Sequence, residues 1–125
     1  MTDRKINPYE SLERIFHEPN RLAIMSALAA AEKGLPFTEL RDACGLTDGN
    51  LNRHLKALED AKAVRISKAF VEAKPQTTVQ ITAFGLERFS EYLDALSKVL
   101  RTAQKALGTE KGHVGAMAGA ARAHA

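Results

Sequence analysis

A chain of 125 residues, 45% hydrophobic and 26% charged, suits one globular domain with a small core. No apolar run is long enough to cross a membrane, no apolar leader follows Met1-Thr2-Asp3-Arg4-Lys5, and the lone Cys44 excludes an internal disulfide, so a cytoplasmic protein is expected. The net charge of +3 is mild, but it is unevenly placed: between Arg53 and Lys74 stand six cations and three carboxylates, an excess that accounts for that of the whole chain.

After a polar start, Asn7-Pro8-Tyr9-Glu10 reads as a helix N-terminus, with Asn7 as cap, Pro8 at the first helical position and Glu10 completing a capping box. Tyr9, Leu12, Ile15 and Phe16 would form its apolar face, and Glu18-Pro19 interrupts it. A second helix is expected from about Pro19 to Lys33, with Leu22, Met25, Leu28 and Ala29 spaced for burial and Gly34 as its stop. Leu35-Pro36-Phe37 reads as a short edge strand. Thr38 is then expected to cap a third helix through Cys44, with Leu40, Ala43 and Cys44 inward.

Gly45 falls where the backbone must turn left-handed, Leu46 supplies an apolar anchor, and Thr47 stands ready to cap the next helix. In that helix Leu51, Leu55 and Leu58 make one apolar stripe, leaving Gly49, Asn50, Asn52, Arg53 and Lys56 on the outer face and flanks. His54 falls at the margin of the stripe and reads as a packing residue. Two short helices about a glycine turn, the second with a polar outer face, make a helix-turn-helix.

Val64-Arg65-Ile66-Ser67 alternates with a period of two, as a half-buried strand does, and a bulge or an end to regular pairing is expected near Ala69. After a turn at Glu72-Ala73-Lys74-Pro75-Gln76, Thr77 to Thr82 alternates again, so the two runs form a hairpin. Thr82 should cap a last helix, about 83–107, whose Leu86, Phe89, Leu93, Leu96, Leu100, Ala103 and Leu107 recur at spacings of three and four. So long a helix leaves a stripe that either the chain's own first helix or a second chain would cover; the second reading is preferred and gives a dimer interface of Tyr9, Leu12, Phe16, Phe89, Leu93, Leu96, Leu100 and Leu107. Residues 108–125, rich in Gly and Ala, read as a disordered tail.

The expected class is mainly α with a two-stranded β-wing. In this order, the run from Thr47 to Ala61, with Glu18 to Met25, Phe37-Thr38-Glu39-Leu40-Arg41 and Thr77 to Gly85, resembles small winged helix-turn-helix transcriptional regulators of the MarR and ArsR type. Two differences stand out: Ala61-Lys62-Ala63-Val64 lacks the glycine that relatives carry before the first wing strand, and the wing holds one cation where relatives have several. ArsR-type metal sensing does not carry over, because His17, His54, His113, His124 and Cys44 have no ligand spacing. No metal or cofactor is expected. No nucleophile–base pair or phosphate loop argues for an enzyme.

The resemblance implies a homodimer that reads double-stranded DNA, with Gly49, Asn50, Asn52 and Arg53 at base edges. Thr38, Thr47, Lys56, Lys68, Lys74, Gln76 and Thr77 would hold phosphates or the minor groove. A cleft between the dimer helices and the recognition motif leaves room for a small-molecule effector that the sequence does not name. The competing reading is a winged-helix module that docks a protein and no longer binds DNA.

Overall fold

Glu18 has extended backbone, and its Oε1 accepts the amide of Arg21 at 2.7 Å. That bond satisfies an amide left unpaired in the first turn of helix α1, Pro19–Ala29, and proline at the first position has no amide to satisfy. The computed structural model describes residues 12–108. After α1 come β1 (Leu35–Pro36), α2 (Phe37–Cys44), α3 (Asp48–Asp60), β2 (Val64–Val71), β3 (Lys74–Ile81) and α4 (Ala83–Ala106). The strands form one antiparallel sheet in the order β1-β3-β2. The expected helix-turn-helix and hairpin are both present, and Leu35–Pro36 adds a third, short strand on β3.

One core joins these elements. Ile24, Met25 and Leu28 of α1 meet Leu40 of α2, Leu51, Leu55 and Leu58 of α3, Val64 and Val79 of the sheet, and Phe89 and Tyr92 of α4. Burying apolar side chains of this size contributes about 1.5–3 kcal/mol each, which is what holds so short a chain together. Phe16 closes the core from the other side. Its ring lies 5.4 Å from that of Phe89 and 5.8 Å from that of Tyr92, centroid to centroid.

Several expectations are corrected. Residues 14–16 lie in a turn rather than a helix, and the start proposed at Asn7 to Glu10, with Tyr9, lies outside the described residues, as does most of the tail. Helix α1 ends at Ala29, capped by Ala30, not at Lys33. Gly34 instead turns the chain into β1 at φ +89, where a Cβ would meet the Val79 carbonyl oxygen at 2.7 Å. Thr38 caps nothing: the extended Pro36 leads straight into α2 with no side-chain cap. Ala43 is exposed and Cys44 half-buried, so only Leu40 of the three residues expected inward is fully covered.

The hairpin has no bulge at Ala69. Its register runs without interruption from Val64 opposite Ile81 to Val71 opposite Lys74. Glu72 and Ala73 form the two-residue turn with φ of 53 and 66, the mirror-image geometry that matches strand twist and that Asn-Gly adopts most readily. Lys62 likewise takes φ 64 in place of the missing glycine, while the Ala63 amide reaches back to Leu58 O at 2.9 Å. The left-handed position thus falls on a lysine, at the cost of backbone strain.

At α4, Thr82 serves both partners of the joint. Its Oγ1 accepts the Gly85 amide at 2.8 Å and donates to Lys62 O at 2.7 Å. Gly85 is buried against Ala63, whose carbonyl oxygen a Cβ would overlap. Farther along, the helix has two apolar stripes. Phe89, Tyr92 and Ala95 face the chain's own core, with Leu96 packed beside them. Leu86, Leu93, Leu100 and Leu107, seven residues apart, stay in water, the last three 42%, 53% and 71% exposed. Phe16 and Phe89, expected at a subunit contact, are 1% and 2% exposed within the single chain and have no surface left to share.

Candidate nucleic-acid interface

The geometry of α3 is set at its N-terminus. Thr47 is extended and its Oγ1 accepts the Asn50 amide at 3.2 Å, as an N-cap does. The entry angle comes from the turn before it. Gly45 adopts φ 64, and the amides of Gly45 and Leu46 return to Asp42 O and Arg41 O. Arg41 spans the same turn from outside, its Nε donating to Asp42 Oδ1 at 2.9 Å and its Nη1 to Asp48 Oδ1 at 2.8 Å. The hydrogen bonds to Asp42 and Asp48 raise the Arg41 pKa further, so the guanidinium stays charged at any working pH. Cys44, at the end of α2, has its thiol pKa pushed up by burial, which favours the protonated form.

Leu51, His54, Leu55 and Leu58 turn inward, so Gly49, Asn50, Asn52, Arg53 and Lys56 are exposed on the far side. Arg53 Nη2 donates to Asn50 Oδ1 at 3.0 Å, one turn apart. The bond holds the guanidinium along the helix face while leaving its other donors, and the Asn50 amide nitrogen, for a ligand. A Cβ added at Gly49 would meet nothing within 4 Å, so this position is a bare stretch of backbone facing solvent. Lys56 pairs with Asp60 at 3.7 Å, an exposed contact of little energetic weight.

The wing supplies the rest. Asn52 and Lys56 of α3 share one groove with Lys68 and Thr77 of the hairpin, over a floor of Phe37, Leu55 and Ile66. Thr77 also lines a second groove with Thr38, Lys74 and Gln76, between the wing and the start of α2. Thr47, Gly49, Asn50 and Arg53 line neither and stand on the exposed ridge. The site therefore has two parts, a ridge on α3 and a grooved wing beside it.

Sequence reading counted Glu59 and Glu72 among the charges of this stretch but placed neither them nor Glu39 in these grooves. Glu59 borders the first, and Glu39 and Glu72 border the second, so each is less positive than a count of lysines suggests. It also counted Arg65 with the basic group, although the pleat sends Arg65 to the face opposite Lys68. The strand alternation carried that signal. Nothing in the spacing pointed to the Arg41–Asp48 contact. Among the described residues no group of three or more His, Cys, Asp or Glu side chains is placed to hold a metal ion, and no helix is long and apolar enough to cross a membrane.

A capped helix with an open polar ridge, set across a glycine turn from a shorter helix and beside a two-stranded wing, defines a winged helix-turn-helix. Residues 20–100 match the winged helix DNA-binding domain family, and the chain belongs to it. An uncharacterized protein of Methanocaldococcus jannaschii, MJ0432, is 34% identical over 80 residues, covering 64% of this chain and 86% of that one. The solved structure of a transcriptional regulator homologue from Pyrococcus horikoshii OT3 superposes with a TM-score of 0.70 at 32% identity, over 76% of this chain and 94% of the other. MepR of S. aureus, solved as a DNA complex, matches in fold with a TM-score of 0.69 at 16% identity, over 90% of this chain and 86% of MepR. The resemblance to winged-helix transcriptional regulators read from the sequence holds.

Proposed function

We propose that this protein is a cytoplasmic, homodimeric transcriptional regulator that binds a pseudo-palindromic double-stranded DNA site, one α3 helix in each of two major grooves. The observation that carries this reading is the open ridge of α3: Gly49, Asn50, Asn52 and Arg53 are exposed together, and Thr47 and Arg41 fix the N-terminus of the helix. Asn and Arg offer bidentate donors and acceptors to adenine and guanine edges. Lys56, Lys68, Lys74, Gln76, Thr77, Thr38 and Thr47 flank the ridge as phosphate or minor-groove contacts. The exposed Leu86, Leu93, Leu100 and Leu107 support pairing through α4, with half-sites about 10 base pairs apart or a small multiple of that.

The test is a fluorescence anisotropy titration, at several salt concentrations, of duplexes selected by the protein from a random pool. Arg53→Ala should weaken the selected site by about 1–3 kcal/mol while leaving non-specific binding nearly unchanged. Lys74→Ala should weaken all sequences alike and flatten the salt slope by about one unit. Binding with no salt dependence, or no selected duplex at all, overturns the reading in favour of a protein-docking module.

A further inference from the structure

Next to the tip of the wing one face is apolar where the reading above, on which this inference rests, would lead one to expect cations. Phe70 is 76% exposed, the largest exposure among the large hydrophobic side chains of the described residues. It lies directly opposite Pro75, and Val71 beside it is also exposed. Residues two apart on a strand share a face, so Phe70 continues the face of Lys68, which with Thr77 lines the groove against Asn52 and Lys56. It stands about 7 Å farther from the body than Lys68. Pro75 has no amide proton to contribute, which is tolerated because β1 reaches only Thr78 and Val79 and leaves β3 an edge here.

We infer that Phe70, backed by Pro75, is an apolar wedge that enters the minor groove of duplex DNA and parts a base step, bending the site toward α3. Charge favours this occupant over others. Over its two faces together, Lys68 on that of Phe70 and Arg65 and Lys74 on the other, the hairpin holds three cations against the single Glu72, so an apolar point is carried on an arm of net positive charge, as minor-groove wedges are. A stable protein interface needs about 800 Å² from each partner, far more than one phenylalanine, one proline and one valine supply. The same face offers no cation beyond Lys68, so past that point an electrostatic contact is replaced by an apolar one.

The probe is a short duplex selected by the full-length protein, carrying a fluorescent adenine analogue at successive positions, which brightens where stacking is lost. With the unmodified protein, brightening is expected at one step flanking the α3 contact. Phe70→Leu should keep it, Phe70→Ala and Phe70→Lys should abolish it, and Phe70→Ala should weaken binding about tenfold with an unchanged salt slope. The urea midpoint should not move for any of these variants, because Phe70 is exposed. Tight, salt-dependent binding with no position brightened overturns the wedge while leaving the DNA-binding reading intact. So does a Phe70→Lys variant that binds more tightly with a steeper salt slope, or a Phe70→Ala variant that brightens as before. A change in sedimentation without a change in brightening identifies Phe70 as a subunit contact and likewise overturns the wedge. If the unmodified protein binds no duplex in a salt-dependent way, the DNA-binding reading itself fails.

Discussion

Arg21 Nη1 donates to His54 Nδ1 across 3.2 Å and joins the first turn of α1 to the inner side of α3. The same guanidinium uses Nε to reach Ile15 O at 2.6 Å, and Glu18 Oε1 lies 4.0 Å from the His54 ring. An imidazole that accepts at Nδ1 keeps its proton on Nε2. His54 is therefore a packing and hydrogen-bonding residue behind the ridge, as its place on the apolar stripe predicts, and its ring ties the segment before α1 to α3.

Replacing it tests that tie. His54→Ala removes a buried ring and leaves Arg21 Nη1 without its acceptor, and should cost about 2–4 kcal/mol. The urea midpoint should fall with an unchanged slope. A loss of DNA affinity with no loss of stability would show that His54 reads DNA instead.

Gly49 makes the opposite prediction. With nothing within 4 Å of an added Cβ, Gly49→Ala should raise stability by about 0.5–1 kcal/mol through helix propensity. On the proposed DNA contact the same methyl would push bases or phosphates away, so affinity for a selected duplex should fall. Thermal denaturation and anisotropy on one variant separate the two effects.

Two backbone positions flanking the wing should respond with opposite signs. Lys62→Gly relieves a left-handed lysine and should stabilise the fold by about 1 kcal/mol. Gly85→Ala forces a methyl into the Ala63 carbonyl and should destabilise it by about 1–3 kcal/mol. Guanidinium titrations of both variants are sufficient.

Tyr92 gives a pH test. Burial raises its phenol pKa, so the folded chain holds that proton more tightly than the unfolded one. The stabilisation is complete below the ordinary phenol value of about 10 and is lost as the pH rises from there through the folded-state pKa. Tyr92→Phe should show a shallower alkaline decline in stability than the unmodified protein, although it also gives up the 2.9 Å hydrogen bond with His17 Nδ1.

On α4 the two stripes should separate by phenotype. Leu100→Glu should leave a folded chain that sediments as a single subunit, whereas Phe89→Glu should unfold it by placing a charge in the core. A Leu100→Glu protein that still sediments as a dimer would remove α4 from the interface.

The elements that were legible in the sequence are those with local causes. Thr47 and Thr82 cap as their positions before periodic runs predict, and Gly45 turns left-handed where the chain must reverse. What was not legible depends on long-range contact. Gly34 carries the sequence mark of a helix stop, yet its φ +89 serves the approach to β3. Phe89 and Leu93 both fit one heptad seam, and only the packing of Phe16 and Tyr92 decides that the first is inside and the second is not. Of the site, the ridge could be read from helical periodicity. The grooves could not, because Lys68 and Thr77 meet α3, and Glu39 meets the wing, only across folds in the chain.

The inner stripe of α4 completes a hydrophobic core without help from any mate, since Phe16, Phe89 and Tyr92 are sealed within one chain. On the proposed dimer, a subunit would thus be a finished object while still solitary, and coupling of two a matter of abundance rather than of survival. For a regulator of the kind proposed, whose site demands two reading heads, filling would climb with the square of subunit concentration until pairing is complete, a sensitivity to dosage that an obligate dimer lacks.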